Sequence, residues 1–348
     1  MTIRQSLDMV FGDYDTTTSE ERAIFDKNFD FTTSLASKRT FLGPWFKIIY
    51  YSENQEYIRA CGEIHRHLDK LIVRAVRERQ ILGEGKEGQK PRRYCLLDEL
   101  LAATDDTEQI RWEIMAILAA GRDTTASMLM HTVHNLVRRP DVWSKLLHEV
   151  AVLNGNAPDF ESLQRMKYVK NVLNESKSQI PLLQGCREHR GRLGDVHCLM
   201  YSPLVFLALR VWPSVWLSAR LARRDTYLPQ GGGPDGKSPC FIGKGQKVWI
   251  CINAMHRRRE NWGPDADEFR PERWAEKGFQ PGAAFMPFAT GPRICLGQQT
   301  AMITAGYALV RLLQACPSLE NRDPTPYVER LKIVCDVKGG VVVGRAIP

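Results

Sequence analysis

The sequence predicts a mainly α-helical protein with small β-hairpins, and two observations support this fold class. Between 107 and 137, apolar residues recur at every third or fourth position, which places them on one face of a long helix. Beyond Pro239, apolar runs become short and are separated by glycine-containing turns, a pattern typical of hairpins. With 348 residues and 43% hydrophobic content, the chain is long enough for one large domain or two smaller ones.

Further helices are predicted from the same periodicity and from start signals. Pro140 is expected to begin a short helix, because a residue without an N–H is tolerated in the first turn. The Gly- and Lys-rich stretch 82–91 is expected to be a surface loop. The predicted helices cover 19–73 (broken near 40–44 and continued as one amphipathic helix over 55–80), 107–137, 140–150, 159–166, 168–175 and 298–315.

Two hairpins are expected in the last third of the chain. The first joins Phe241-Ile242 to 247–252 across a short turn that contains two glycines. The second joins 331–337 to 341–343 across Gly339-Gly340. Both expectations rest on the turn residues and on the short apolar runs beside them.

The chain is basic, with 48 Lys and Arg against 40 Asp and Glu, a net charge of +8 and a pI near 9.0. The run 256–259 contains three arginines, but no aromatic residues alternate with the basic ones as they do on nucleic-acid-binding surfaces. We therefore expect no nucleic-acid partner and favour a solvated surface or a docking face for an acidic redox partner. A basic helical module that binds nucleic acid or another partner is an alternative that rests on charge alone.

The cysteines and the apolar stretches limit the cellular context. Nine scattered cysteines, without paired zinc spacing and with no secretory signal at Met1, indicate a reducing compartment. The longest apolar stretch, 198–217, contains two prolines and an arginine. A membrane-spanning helix needs about 20 apolar residues with few or no charges, so this stretch is not expected to be one.

One short motif near the C-terminal end carries the most chemical information. Its pattern is Phe288-x-x-Gly291-x-Arg293-x-Cys295-x-Gly297, a single cysteine between glycines ahead of an expected helix. This is the pattern of a loop that offers one thiolate to a haem iron, a ligand that favours O–O cleavage. The glycines permit tight turns and close approach to a flat macrocycle. A buried structural cysteine is the alternative, which five matched positions in order disfavour.

The residues around Cys295 have expected roles. The helix after Gly297 would hold the sulfur as a thiolate through its N-terminal dipole and its free N–H groups. Arg293 is expected to reach a haem propionate, and Phe288 to pack beside the sulfur and exclude water. The face of that helix expected to be buried contains Ala301, Ala305, Ala308, Leu309 and Leu312.

A second motif lies in the helix predicted over 107–137. Ala120-Gly121-Arg122-Asp123-Thr124-Thr125 resembles the oxygen-activation signature of the cytochrome P450 family. The resemblance implies that Gly121 lets the helix open for O₂, that Thr124 hydrogen-bonds the distal oxygen or a water, and that Asp123 relays protons. The alternative is ordinary packing, with the hydroxyl bonded to the previous helical turn.

A third motif, Arg270-Pro271-Glu272-Arg273-Trp274, resembles the segment that supplies the second arginine of the family's Glu-Arg-Arg triad. Arg273 then needs a carboxylate partner, because an unpaired buried charge is strongly destabilising. Glu175 begins the family's Glu-x-x-Arg-x-x-Pro motif, but no arginine stands three residues later. Removal of 177–208 restores the motif with Arg210.

The stretch 177–208 interrupts a predicted helix between the triad partners and shows no sustained helical or strand period. We hypothesise that it is a translated in-frame intron, and a tolerated surface insertion is the alternative. A transcript that carries these codons in every copy would exclude the intron.

Beyond this stretch the resemblance resumes. Ser218-Ala219-Arg220-Leu221-Ala222 places Arg220 as a second propionate contact. The Gly-rich run 228–239 lacks the full spacing of a phosphate-binding loop. This run and the segments 255–258 and 120–125 resemble those of one fungal branch of the family. Members of that branch hydroxylate n-alkanes and fatty acids at the chain end.

The resemblance covers nearly the whole chain except 177–208 and implies a single partial domain over 1–348, the C-terminal two-thirds of the cytochrome P450 fold. Met1 would enter midway through the family pattern, after the membrane anchor, the early β-sheet and part of the haem pocket wall. Full-length members of this type are expected at the cytosolic face of the endoplasmic reticulum membrane.

The implied activity is that of a haem-thiolate monooxygenase with haem b as cofactor. Electrons would arrive from an NADPH-dependent P450 reductase. One oxygen atom of O₂ would enter a C–H bond of a hydrophobic substrate, with terminal hydroxylation of an n-alkane or fatty acid expected. The alternative is a non-catalytic fragment that does not retain haem.

Overall fold

The computed structural model describes residues 2–83, 94–175, 213–323, 329–331, 334–337 and 340–345. The chain divides into unit 1, Met1–Ala126 with Lys332–Val334, and unit 2, Ser127–Leu331 with Cys335–Pro348. The stretch 177–208, Arg210 and residues 84–91 of the predicted loop lie outside the described residues. The first two residues predicted for that loop, Leu82 and Gly83, are the end of a helix instead.

Unit 1 is built from helices, which agrees with the predicted fold class. They are α1 (Thr2–Phe11), α2 (Ser19–Leu42), α3 (Phe46–Ile49), α4 (Tyr51–Gly83), α5 (Leu96–Ala103) and the first part of α6 (Thr107–Leu136). A reciprocal cap begins α2: the Thr18 hydroxyl accepts the Glu21 N–H at 3.2 Å, and the Glu21 carboxylate accepts the Thr18 N–H at 3.0 Å. The helix ends at Gly43, whose φ of 53° favours glycine, so the predicted interruption is confirmed.

The core of unit 1 includes the apolar face predicted for α6. Ile110 and Ile114 are buried as expected, together with Leu118, whereas Gly121 is exposed. Burial of each such aliphatic side chain stabilises the unit by roughly 1.5–3 kcal/mol, so these turns of α6 hold the unit together. Other buried members of this core are Leu7, Phe11, Phe29, Ile64, Leu68 and Ile72.

Unit 2 contains the end of α6 and six further α-helices among its described residues. They are α7 (Pro140–Val150), α8 (Phe160–Arg165), α9 (Lys167–Glu175), α10 (Ile252–Met255), α11 (Arg259–Trp262) and α12 (Gln298–Ala315). The predicted bounds of α7 and α12 are confirmed, and Asp159 caps α8 by accepting the Ser162 N–H at 2.7 Å. None of the helices described is long and apolar enough to cross a membrane.

The buried face of α12 is rotated relative to the predicted one. Ala305 and Leu309 are buried as expected, but the buried face extends to Gly306 on the side away from Ala301 and Ala308, which are only partly buried. A Cβ at Gly306 would lie 3.7 Å from a methyl of Leu163, an ordinary van der Waals distance, so α8 packs directly beside this glycine. Periodicity alone did not include this glycine in the core.

Eight short strands pair in twos, all antiparallel, within the described part of unit 2. The pairs are β1 (Leu217–Leu221) with β4 (Lys247–Cys251), β2 (Thr226–Gly232) with β3 (Ser238–Ile242), β5 (Leu319–Asn321) with β8 (Val343–Arg345), and β6 (Glu329–Leu331) with β7 (Cys335–Val337).

The first predicted hairpin is wrong. The turn at 243–245 is present, but β3 before it and β4 after it belong to different two-stranded sheets. Gly245 donates its N–H to the Ala222 oxygen at 2.8 Å, so the turn leads the chain back beside β1. The hairpin in this region is β2–β3, which turns through the glycine-rich run 231–236, where three glycines have positive φ.

The second predicted hairpin is wrong for the same physical reason. Gly340 donates its N–H to the Val337 oxygen at 3.0 Å, so a turn does form. β7, which precedes this turn, pairs with β6, and β8, which follows it, pairs with β5. A local glycine signal indicates a turn, but it does not determine which strand satisfies the backbone hydrogen bonds of each neighbour.

The N-terminus of α9 is capped by a side chain of α7. The carboxylate of Glu149 accepts the N–H of Tyr168 at 2.9 Å and that of Val169 at 2.8 Å. A negative charge here satisfies amide donors that have no partner within the helix and complements the helix dipole. The contact fixes α9, whose last residue is Glu175.

We expect Glu149→Ala to lower the free energy of unfolding by about 1–2 kcal/mol, because two amides at the start of α9 lose their acceptor. Urea denaturation measures this change, and amide exchange at Tyr168 and Val169 should accelerate. The control Glu161→Ala removes only an exposed pair with Arg165 and should cost less than about 1 kcal/mol. Equal effects of the two variants would contradict the capping role.

Candidate functional site

The cysteine motif forms a closed loop immediately before α12. The N–H of Cys295 donates to the Phe288 oxygen at 2.8 Å, which joins the two ends of the loop. Between them, Ala289 and Gly291 have φ of 58° and 71°, and Gly291–Arg293 forms one 3-10 turn. A positive φ favours glycine, which accounts for Gly291. The loop therefore presents Cys295 at the start of a helix of 18 residues.

Cys295 is exposed and its thiol is free. Its neighbours Ile294 and Leu296 are 56% and 93% exposed, although both are large apolar residues. A Cβ at Gly297 would lie 4.0 Å from the sulfur, so glycine keeps this side of the thiol open. Arg293 is exposed on the same loop. The arrangement offers one sulfur ligand with apolar side chains beside it.

The structure brings Glu175 and Arg273 together. Arg273 Nε donates to Glu175 Oε1 at 2.8 Å, and the two side chains are 1% and 0% exposed. The second carboxylate oxygen of Glu175 accepts the indole N–H of Trp274 at 2.9 Å, and its first oxygen also accepts the Arg270 backbone N–H at 3.1 Å. Arg210, the third member predicted for the triad, lies outside the described residues.

The other donors of Arg273 are satisfied by the segment that precedes it. They contact the carboxylate of Asp265 at 3.1 and 3.4 Å and the backbone oxygens of Trp262, Asp265 and Glu268 at 3.0–3.3 Å. Burial alone would raise the pKa of Asp265, but the charge of Arg273 and the hydrogen bonds from Arg273 and Arg270 lower it below its ordinary 3.8. Asp265 therefore keeps its charge in mild acid.

Sequence reasoning did not identify Trp274 and Asp265 as partners of the triad, although both lie in its matched segment. Trp274 also reaches the cysteine loop, because its ring centroid lies 4.7 Å from that of Phe285. Phe288 is partly buried against the core of unit 2. Through these rings the buried ion pair is connected to the start of the loop.

Asp123 and Thr124 lie on α6 within unit 1, and Cys295 lies in unit 2. The Thr124 hydroxyl donates to the Ala120 oxygen at 2.6 Å, the back-bonding that the sequence allowed as the alternative. Asp123 is 32% exposed and lies 3.8 Å from Arg122, whose side chain pairs with Asp30 at 2.5 Å.

Arg220 lies on β1, opposite Val248 of β4. Its guanidinium is exposed and folds back onto its own strand, where it donates to the Ser218 hydroxyl at 3.1 Å and the Ala219 oxygen at 3.0 Å. Both acceptors are uncharged and belong to the same strand.

Comparison with known proteins agrees with this geometry. The cytochrome P450 family model matches residues 1–177 and 209–342. The chain belongs to the cytochrome P450 family. The match leaves out 178–208 and includes the cysteine loop, the Glu175 and Arg273 segments and the Ala120–Thr125 motif.

Several fungal cytochromes P450 are similar to this chain. The monooxygenase himC of Aspergillus japonicus is 37% identical over 87% of this chain and 48% of its own length. The monooxygenase fsdH of Fusarium heterosporum is 33% identical over 98% and 56%. Cytochrome P450 52A13 of Debaryomyces hansenii is 35% identical over 87% and 53%. The chain thus spans about half the length of the curated relatives it matches.

The cofactor of cytochromes P450 is haem b. The loop around Cys295 fits this group, because it offers one open thiol, apolar side chains beside it and no Cβ at Gly297. Among the described residues, no cluster of three or more His, Cys, Asp or Glu side chains could hold a bare metal ion. A lone thiolate suits an iron whose other ligands come from a macrocycle.

We expect Arg273→Met to lower the free energy of unfolding by about 3–5 kcal/mol, because Glu175 would be left as a buried charge without its partner. Urea denaturation followed by circular dichroism measures the change. The control Arg259→Met removes an exposed pair with Asp267 at 3.6 Å and should cost less than about 1 kcal/mol. A variant at position 273 as stable as this control would contradict the structural role of the ion pair.

Proposed function

We propose that this chain is the haem-binding part of a haem-thiolate monooxygenase. The enzyme would insert one oxygen atom of O₂ into a C–H bond of a hydrophobic substrate, and the other atom would leave as water. The observation that carries the proposal is the closed loop that presents an exposed Cys295 at the start of α12, in a chain of the cytochrome P450 family. Haem b, when bound, supplies the activation of O₂.

The proposed iron ligand is Cys295. The free N–H groups and the dipole at the start of α12, which begins three residues later, would favour a thiolate as the iron ligand. Phe288, partly buried beside the loop, limits the access of water. Arg293 and Arg220, both exposed cations in unit 2, are the proposed partners of the haem propionates.

The proposed proton supply lies on α6. Asp123, with its partly exposed carboxylate, would take up protons from solvent and pass them to the Thr124 hydroxyl. Ala120 and Gly121, one helical turn before this hydroxyl, are small and exposed residues. The Arg122 Nε lies 3.8 Å from the Asp123 carboxylate, a long ion-pair distance.

The proposed substrate is an n-alkane or a fatty acid hydroxylated at the chain end, which the motif similarity to the fungal branch supports. The proposed electron donor is an NADPH-dependent P450 reductase, and the net charge of +8 suits an acidic docking surface. The proposed location of the whole enzyme is the cytosolic face of the endoplasmic reticulum membrane.

The carbon-monoxide difference spectrum of the reduced, haem-loaded protein tests the ligand. We expect a red-shifted Soret band of the thiolate type, and its complete loss in Cys295→Ser, because a hydroxyl cannot replace the thiolate donor. Cys251→Ser, a change at another exposed cysteine of unit 2, should leave the band unchanged. A band that persists in Cys295→Ser would overturn the assignment. No haem uptake by the parent protein would support the non-catalytic fragment.

We also propose that 177–208 is an insertion, such as a retained in-frame intron, that separates Glu175 from Arg210. The family match supports this proposal, because it runs to 177 and resumes at 209. A buried carboxylate that already accepts from Arg273 gains a further charged donor when Arg210 is brought within one helical turn.

Deletion of 177–208 should therefore raise the free energy of unfolding by about 2 kcal/mol, the value of a hydrogen bond between charged groups, and increase haem retention. Urea denaturation and the ratio of haem to protein after gel filtration measure the two effects. The matched control is the same deletion with Arg210→Met, which should lose the gain. A deletion variant no more stable than the parent chain would count against the insertion. A transcript that always carries these codons would exclude the intron.

A further inference from the structure

A buried histidine lies against the start of the cysteine loop. His256 is 0% exposed and follows α10, where its N–H donates to the Ile252 oxygen at 2.9 Å. Its ring packs beside those of Trp262 and Phe285, with centroid distances of 6.2 and 5.4 Å. The ring is therefore held in one place by aromatic neighbours and by the helical turn that carries it.

One nitrogen of this ring makes a long-range hydrogen bond to the loop. His256 Nε2 accepts the backbone N–H of Met286 at 2.9 Å, across 30 residues of sequence. A ring nitrogen that accepts carries no proton, so the proton of the neutral imidazole is on Nδ1. An uncharged acceptor suits this position, because a carboxylate among these rings would bring a costly buried charge.

The contact with Met286 is passed on to the cysteine by two further hydrogen bonds. The Met286 oxygen accepts the Ala289 N–H at 3.2 Å, which sets the turn that carries Phe288. The Phe288 oxygen in turn accepts the Cys295 N–H at 2.8 Å. Both backbone groups of Met286 are therefore hydrogen-bonded, its N–H to His256 and its oxygen to Ala289. The turn formed in this way sets the position of the Phe288 oxygen.

We propose that His256 is a positioning residue for Cys295: by holding the Met286 amide, it keeps the Phe288 oxygen where it accepts from the cysteine and so orients the sulfur. The inference rests on the proposed role of Cys295 as the haem ligand. The proposed role is indirect, because His256 acts through the backbone of the loop.

Two substitutions distinguish the loss of the hydrogen-bond acceptor from the loss of the imidazole ring. His256→Gln places a side-chain oxygen near the position of Nε2 and keeps an acceptor for Met286. His256→Asn has the same chemical group on a chain one carbon shorter, which does not reach the amide. His148→Asn changes an exposed histidine of α7 and serves as the control.

Hydrogen exchange of the whole protein, followed by mass spectrometry, is the primary measurement. We expect the amides of Met286 and Cys295 to exchange on the order of tenfold faster in His256→Asn, because local opening of the loop becomes easier. His256→Gln should restore most of the protection, and His148→Asn should leave it unchanged. Unaltered exchange in α7 and α12 shows that each variant remains folded.

The thiolate band of the carbon-monoxide complex is the second measurement. We expect its share of the total Soret intensity to fall in His256→Asn and to return in His256→Gln. The proposal is overturned if His256→Asn protects both amides as well as the parent does, or if Met286 loses protection while Cys295 keeps it. Absence of the band in every variant, the parent included, would count against the proposed function and support the non-catalytic fragment, whereas amide exchange would still decide the role of His256.

Discussion

The buried ion pair between Glu175 and Arg273 connects the end of α9 to the irregular segment that precedes the cysteine loop. Removal of two charges from water is expensive, and their attraction offsets that cost only when the remaining donors and acceptors are also satisfied. Here the other guanidinium donors go to Asp265 and to backbone oxygens, while the second carboxylate oxygen accepts from Trp274. The segment 262–274 must therefore wrap around Arg273, and this fixes its path.

That path determines where the cysteine loop begins. Trp274 donates to Glu175 and packs its ring on Phe285. Met286, which follows Phe285, donates its N–H to His256. From there, backbone hydrogen bonds lead to Cys295. The candidate iron ligand is exposed, yet the contacts that lead to its backbone begin at Glu175, Arg273 and His256, which are almost completely buried. A reactive loop on a rigid support is the arrangement that precise ligation of a metal requires.

The sequence predicted the long helices well because the signal for a helix is local: caps, proline at the first turn and periodic burial all lie within the same few residues. Thr18, Pro140 and the apolar residues of α6 are examples. The sequence did not predict the shorter helices α1, α5, α10 and α11. It misplaced the buried face of α12, which includes Gly306, Val310 and Leu313. Which face of a helix is covered depends on the elements that pack against it, and for α12 these include α7, α8 and α9.

By itself, the sequence determined the family, the mainly helical fold class, the turn positions and the loop that carries Cys295, since each depends on residue type at fixed spacing. Only the tertiary structure decided which strands pair, that Trp274 and Asp265 complete the Glu175–Arg273 network, and that His256 supports the loop. These contacts join residues that are far apart in sequence, and the hydrogen-bond partner of a buried group depends on the packing around it.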